Sequence, residues 1–228
     1  DLLAAGVAVQ MNNVINSRDM NTVSISLADA SGSDDALTFI TAGTATHGTD
    51  NNIDDIAFAD IETLSIVSAA TGVALGAAEV NVIDDITADT SLTTINVSGA
   101  EKTQVTLGAE MTNLATLDGS AAADNLTVVA TGLTSSTTFK GGSGADTFTM
   151  GTTLNSADTI EGGAQAAGTF DTVSATVTGL DAVTGALNVS GVEVLALTNN
   201  GVTTINAASI TGASTINLFA SSDTTTLT

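Results

Sequence analysis

A nine-residue segment at positions 141–149, with the sequence GGSGADTFT, constrains the fold of this chain more than any other stretch. Glycine adopts turn angles that are closed to other residues, so its three glycines predict a tight turn with inward-pointing carbonyl oxygens. The Asp146 carboxylate belongs to the same turn, and carboxylate and carbonyl oxygens are the ligands that calcium prefers. Thr147, Phe148 and Thr149 then predict a short strand in which only Phe148 faces the core.

The segment fits the glycine-glycine-x-glycine-x-aspartate-x-apolar-x repeat of calcium-binding parallel β-rolls at every specified position. A glycine-rich hairpin turn followed by a strand would give the same letters. Calcium in such rolls is held between successive turns, so one turn needs neighbours that complete six or more oxygen ligands. Weaker copies of the motif occur on both sides of it, and they supply most of the other candidates. The candidate calcium ligands are Gly142, Gly144, Asp146, Asp158, Gly163, Asp171, Asp124 and Asp35.

The weaker acidic turns have a second interpretation. Asp124, Asp158 and Asp171 can each cap a β-turn by accepting a backbone hydrogen bond, as aspartate does in Asx-turns. Asp35 lies in a degenerate copy of the motif, where Asp34 or Asp35 takes the aspartate position. Adjacent acids such as this pair, Asp54–Asp55 and Asp84–Asp85 can also simply face solvent. Both interpretations stay open for these residues.

The charge balance excludes several partners. Twenty-five acidic residues stand against three basic ones, which gives a formal net charge of −22. Binding nucleic acid needs a basic surface that three cations cannot form, and an anionic membrane surface is excluded for the same reason. Uncompensated carboxylates repel one another and oppose the compact state, so a divalent cation is the natural counterion.

The composition also bounds the fold. The chain has no cysteine, which excludes disulfides and thiolate metal sites, and its 43% hydrophobic content argues against disorder. It has no proline, which suits stacked inner strands that must donate N–H groups. No apolar run is long enough to span a membrane, so direct membrane insertion is not expected.

Strand signals dominate the chain, and they recur. Val23, Ile25 and Leu27 alternate with small or polar residues, and such alternation continues downstream. The segments IETLSI at 61–66 and VEVLAL at 192–197 share one order of residues, which favours a repeated element. We therefore predict an all-β fold, a parallel β-solenoid or β-roll-like, irregular stack of short strands with Gly/Asp turns. An array of β-sandwich units is the alternative.

These signals divide the chain into three parts. Residues 1–21 form a lead-in segment whose helix or strand character the sequence leaves undecided. Residues 22–140 form a β-repeat unit. Residues 141–228 form the β-roll-like calcium-binding segment and a partial second β-repeat unit. The N-terminal sequence lacks both an initiator Met and the basic segment of a signal peptide, so we expect the chain to be part of a longer protein or to be processed.

Signals for catalysis are weak. His47 is the single histidine, it lies in a polar loop, and no Gly-x-Ser-x-Gly nucleophile motif is present. Trp and Tyr, which carbohydrate enzymes use as binding platforms, are absent. We expect no enzymatic activity.

The nonapeptide, the two repeated strand segments and the proline-free, Thr/Ala/Ser/Gly/Asn-rich background resemble bacterial surface-layer proteins of the repeats-in-toxin (RTX) group. The resemblance implies type I secretion, calcium-dependent folding outside the cell, and self-assembly into a lattice at the extracellular bacterial cell surface. A cell-surface polysaccharide is the candidate attachment partner. The alternatives are a secreted adhesin or biofilm-matrix filament of the RTX type, and the roll domain of a secreted protease or lipase whose catalytic domain lies outside this segment.

Overall fold

A computed structural model describes residues 7–12, 23–25, 34–43, 51–70, 79–88, 90–165, 167–177, 187–200, 203–205, 210–220 and 225–227. All the regular elements in these ranges are β-strands. The strands follow the segments in which apolar and small polar residues alternate, as in Thr147–Gly151, where buried and partly exposed residues alternate along the strand. This period of two is what a strand with one buried face requires.

Two long parallel sheets contain most of the strands. The first sheet contains, in spatial order, β1 (Val7–Asn12), β3 (Ala36–Gly43), β6 (Thr63–Ala70), β8 (Thr94–Gly99), β10 (Thr116–Ala122), β12 (Thr138–Lys140), β14 (Thr159–Glu161), β16 (Asn188–Ser190) and β19 (Ile210–Thr211). The second contains β2 (Val23–Ile25), β5 (Ile56–Phe58), β7 (Asn81–Ala88), β9 (Thr103–Leu107), β11 (Leu126–Val129), β13 (Thr147–Gly151), β15 (Thr172–Val177), β17 (Val194–Asn199) and β20 (Thr215–Ala220).

Three short strands lie off these two paths. The strand β4 (Asn51–Ile53) pairs with β7 beside β5, so two short strands share one long neighbour. The strands β18 (Thr203–Ile205) and β21 (Thr225–Leu227) pair with each other in a small third sheet.

The chain passes back and forth between the two sheets, so each coil adds one strand to each sheet and advances the stack by ~4.8 Å. All the strand pairs are parallel; for example, β13 pairs in parallel with both β11 and β15. The chain therefore folds as a parallel β-solenoid, which confirms the predicted all-β solenoid. It does not form the alternative array of β-sandwich units.

The three segments predicted from the sequence each contribute strands to one stack of coils. The lead-in segment contributes β1, which lies parallel to β3 and places Val9 beside Phe39. On either side of position 141, β12 continues the first sheet and β13 continues the second. The two repeated segments occupy different sheets, because β6 belongs to the first and β17 to the second.

The core is a column of apolar side chains between the two sheets. In the first sheet Leu117, Phe139, Ile160 and Val189 lie one above another in register, and all are buried. Phe148 lies inside the second sheet and is fully buried, as the sequence predicts. Its ring meets that of Phe139 edge to face, with the ring centroids 6.3 Å apart.

One corner of the solenoid is polar although it is buried. Asn81 is fully buried, and its side-chain amide donates hydrogen bonds to the Ser68 hydroxyl at 2.9 Å and to the Ala69 carbonyl at 3.0 Å. The adjacent coil carries Gly99 with a φ of 117°, and an added Cβ there would overlap the Ser68 carbonyl oxygen. The side-chain amide thus links the end of β6 to the start of β7, where the chain passes from one sheet to the other.

Candidate functional site

Three acidic residues lie directly before successive strands of the second sheet. Asp146 precedes β13, Asp171 precedes β15 and Glu193 precedes β17. Because Thr147, Thr172 and Val194 are in register, the three acids stack one coil apart. We call Asp146, Asp171 and Glu193 the acidic column. Asp146 and Asp171 are both fully buried.

Each carboxylate in the acidic column accepts a hydrogen bond from the backbone of the preceding coil. The Leu126 N–H donates to Asp146 Oδ1 at 2.7 Å, and the Asp146 N–H donates to Asp171 Oδ1 at 2.7 Å. The Asp171 N–H donates in turn to Glu193 Oε2 at 2.9 Å. The column therefore forms a continuous chain of hydrogen bonds along the solenoid axis at the point where each strand begins.

The second carboxylate oxygen of the two aspartates is also engaged. The Gly142 N–H donates to Asp146 Oδ2 at 2.6 Å, so this bond closes the glycine-rich turn on its own aspartate. The Gln165 side-chain amide donates to Asp171 Oδ2 at 2.6 Å and also to Glu193 Oε2. Gln165 thus ties two neighbouring members of the column together.

The predicted glycines bring the backbones of successive turns close together. An added Cβ at Gly142 would overlap the Ala122 carbonyl oxygen, and one at Gly144 would lie 2.5 Å from the Asn125 nitrogen. Gly163 has a φ of 107°, which favours glycine. The Gly142 carbonyl, a predicted calcium ligand, accepts the Ala164 N–H at 2.9 Å. These glycines thus let successive turns lie close enough for hydrogen bonds to form between their backbones.

Asp158 has the same function at the first sheet. It precedes β14 and is buried, with 3% of its surface exposed. Its Oδ1 accepts the Thr137 N–H from the preceding coil at 3.1 Å, and its Oδ2 accepts the Asn155 N–H from its own turn at 2.9 Å. It belongs to the other sheet and therefore lies outside the acidic column.

Asp124 is displaced from the column by the strand register. Thr127 pairs with Thr147, so Leu126, and not Asp124, occupies the position equivalent to Asp146. Among the described residues, the Asp124 side chain accepts only the neighbouring Asn125 N–H, at 2.7 Å. The Asn125 side chain accepts the Ala145 N–H at 2.8 Å and so links this turn to the glycine-rich one.

Asp35 lies at the first sheet, several coils away. Its N–H donates to Glu62 Oε2 at 2.7 Å, and its carbonyl accepts the N–H groups of Glu62 and Thr63. Its Oδ2 atom is buried and accepts no hydrogen bond from the described part of the chain. The neighbouring Asp34 is exposed.

The remaining acidic pairs lie around a bulge in the second sheet. Asp84 and Asp85 form the register shift in β7, and Asp84 accepts a hydrogen bond from the Asn52 side chain at 2.9 Å. Burial raises the pKa of Asp85, and the nearby charges of Glu110 and Asp55 raise it further. His47 lies outside the described residues.

Burial raises the pKa of Asp146 to about 6. The charges of Asp171 and Asp124 raise it as well, and the N–H donors of Leu126 and Gly142 oppose the rise. Burial also raises the pKa values of Asp171 and Asp158, against the hydrogen bonds that each carboxylate accepts. Burial therefore disfavours the negatively charged form of the two aspartates in the column.

The candidate ligands fit a calcium ion in part. Within the described ranges, no group of three or more Asp, Glu, His or Cys side chains lies together in a way that could hold a metal ion. A carboxylate has about four lone-pair sites, and Asp146 uses two of them for backbone N–H groups. An ion at this turn would therefore depend on one or two carboxylates, with backbone carbonyls and water as its other ligands. Calcium binding stays a prediction for these residues.

Two contributors to the column were missed as site residues by the sequence analysis. Glu193 and Gln165 were not among the candidates, although the repeated segments at 61–66 and 192–197 contained the signal for Glu193. Glu62 and Glu193 make the same contacts. The carboxylate of each accepts the N–H of an aspartate in the preceding coil, and the backbone carbonyl of each accepts two N–H groups from the next coil. The repeated residue order therefore marks a repeated cap, placed once in each sheet.

Comparisons of the chain with protein-family models, curated proteins and solved structures found no match. Among the described residues, no helix has the length and apolar character needed to cross a membrane.

Replacing Asp146 with alanine should lower the free energy of unfolding by about 1–4 kcal/mol, because the buried N–H groups of Leu126 and Gly142 lose their acceptor. Relief of the buried charge offsets part of this loss. The matched control is Asp124→Ala, which removes an acceptor from the adjacent Asn125 and from no other described residue, and it should cost less than about 1 kcal/mol. Urea unfolding followed by circular dichroism measures both, and equal losses would contradict the capping function.

In calcium-free buffer, the free energy of unfolding should rise as the pH falls from about 7.5 to about 4.5. The folded-state pKa of Asp146, about 6, lies above its ordinary value of 3.8, so the folded state binds more protons between these values. The stabilisation is complete below the lower pKa and is lost as the pH rises through the upper one. The variant Asp146→Asn should show a smaller slope. Wild-type stability that increases with pH across this window would contradict the assignment.

Proposed function

We propose that this chain is a structural, non-catalytic segment of a secreted bacterial surface-layer subunit that calcium stabilises. The observation that carries the proposal is the acidic column inside a parallel β-solenoid. Such a solenoid is a stack of coils, and repeat architectures of this kind commonly present extended binding surfaces. The fold is compatible with this function and also with other structural functions.

The electrostatics support a cation-dependent fold. The chain carries a formal net charge of −22, and three of its acids, Asp146, Asp158 and Asp171, are buried at the coil corners. A divalent ion bound near Asp146 would offset both the cost of burying its charge and its repulsion with Asp171 and Asp124. Calcium is the ion of choice because the donors at these turns are hard oxygen atoms.

Calcium binding of this kind would make the stability of the fold differ between the inside and the outside of the cell. At ten times the dissociation constant, one independent site adds ~1.4 kcal/mol, which is a substantial share of a typical domain stability of about 5–15 kcal/mol. The acidic chain would be less stable in the calcium-poor cytoplasm and would gain stability after export. Calcium ions that bridge carboxylates of neighbouring subunits would hold an extracellular layer together by the same chemistry.

Calcium should raise the melting temperature of the protein and promote sheet-like assemblies, and exhaustive chelation should reverse both effects. Thermal unfolding and negative-stain electron microscopy measure them, with magnesium as the ion control. In Asp146→Ala the calcium-induced rise in melting temperature should be smaller than in the wild type. The same rise is measured in Asp124→Ala for comparison, because Asp124 is the neighbouring candidate ligand. Melting and assembly that chelation leaves unchanged would overturn the proposal, and assembly into fibres would favour the adhesin or filament alternative.

A further inference from the structure

The sequence Ile-Asp-Asp-Ile occurs twice in the second sheet, at positions 53–56 and 83–86. The two copies lie on adjacent coils, and both isoleucines of one copy pair in register with those of the other. All four isoleucines are fully buried. A regular strand turns every second side chain inward, so two acids between two buried residues require one extra residue in each coil. The two irregularities therefore lie directly beside each other.

The stacked copies place two acidic pairs against each other. Asp54 and Asp55 of one coil lie beside Asp84 and Asp85 of the next, at the ~4.8 Å spacing of neighbouring strands. Like charges opposite each other on neighbouring strands repel. Burial raises the pKa of Asp85, and the negative charges of Glu110 and Asp55 raise it further. The stack thus concentrates negative charge that a bound cation would offset.

Two oxygen atoms at the stacked pairs are buried without a hydrogen-bond donor. They are Asn52 Oδ1 and Asp55 Oδ1, and neither accepts a hydrogen bond from the described part of the chain. The Asn52 side-chain nitrogen donates to Asp84 Oδ2 at 2.9 Å, which holds the oxygen of the same amide group beside the acids. A buried oxygen without a donor has lost its water and gained no partner in exchange. A cation bound here would supply the missing partner to both oxygens.

The strand spacing favours calcium as the ion. Calcium binds oxygen at about 2.3–2.6 Å, so two oxygens on opposite sides of the ion lie ~4.6–5.2 Å apart. This span matches the ~4.8 Å between neighbouring strands, whereas two magnesium–oxygen bonds span only ~4.0–4.2 Å. Among the described residues the acids do not meet in groups of three that could hold a metal ion. Two carboxylates, an amide oxygen and water form a mixed oxygen set of the kind that calcium accepts.

We propose that a calcium ion binds between the two coils at the stacked Ile-Asp-Asp-Ile copies, with the Asp55 and Asp85 carboxylates and Asn52 Oδ1 among its ligands. The inference goes beyond the proposed function, because this site lies on other coils than the acidic column and shares no residue with it. The ion would join β4 and β5 to β7 at the place where the register of β7 against β9 shifts.

Isothermal titration calorimetry of the intact chain with calcium chloride tests the proposal. The double variant Asp55→Asn/Asp85→Asn keeps the shape of both side chains and removes their charge, so calcium binding at this site should weaken by about tenfold or more. The control Asp118→Asn/Glu161→Gln removes two charges from strands of the first sheet, and it should bind calcium like the wild type. Magnesium should bind the wild-type site about tenfold more weakly than calcium.

Amide hydrogen exchange locates the ion. Calcium should slow the exchange of amides in segments 53–56 and 83–86 of the wild type, and this effect should be lost in Asp55→Asn/Asp85→Asn. Without calcium, the same variant should unfold at a higher urea concentration than the wild type, because the repulsion between the stacked pairs is relieved. Acids that serve only as turn caps would give the opposite order. Circular dichroism establishes that the variant keeps its β-structure.

The outcomes separate this site from the acidic column. Equal calcium binding by Asp55→Asn/Asp85→Asn and the wild type, or calcium protection that does not reach the stacked copies, would overturn the further site alone. Calcium protection of the stacked copies with no calcium effect that depends on Asp146 would support the further site and count against the column. Magnesium binding as tight as that of calcium would overturn the assignment of the ion, and a chain that binds no calcium would overturn both proposals.

Discussion

The structure depends on a hydrogen bond between the carboxylate of one coil and the backbone N–H of the coil before it. Where the chain turns from one sheet to the other, the sheet ladder is interrupted, and a buried N–H without an acceptor would cost about 1–3 kcal/mol. Asp146 and Asp171 supply the acceptors at the second sheet, and Asp158 supplies one at the first. The corners are thereby held in the same register as the strands.

The glycines of the nonapeptide and its aspartate have connected functions. Asp146 reaches the Leu126 N–H only because consecutive turns stack closely, and a Cβ at Gly142 would prevent that stacking. The cost is that negative charge is buried, which raises the pKa of Asp146 to about 6. A cation or a proton relieves this cost. The same interaction that aligns the coils therefore makes the stability of the solenoid sensitive to the pH and the cations of the solution around it.

The sequence predicted the features that depend on local pattern. Alternating residues located the strands, the missing proline agreed with stacked inner strands, and Phe148 was correctly placed in the core. Asp146 stood out because it follows a run of glycines, which the close approach of neighbouring turns requires. The partners of the column were not predictable in this way, because Gln165 and Glu193 are 28 residues apart and meet only through the coil register. Asp124 shows the same limit: its motif looks aligned with Asp146, but the pairing of Thr127 with Thr147 displaces it by two residues.

Amide hydrogen exchange tests the central claim most directly. The N–H groups of Leu126, Asp146 and Asp171 precede or begin strands, and their acceptors are carboxylates of the next coil. If these bonds hold the coils together, the three amides should exchange as slowly as those inside β11, β13 and β15. All of these amides would then become exposed only when the same part of the solenoid unfolds. Exchange of these amides at the rate of an unstructured peptide, with the strands still protected, would contradict the account.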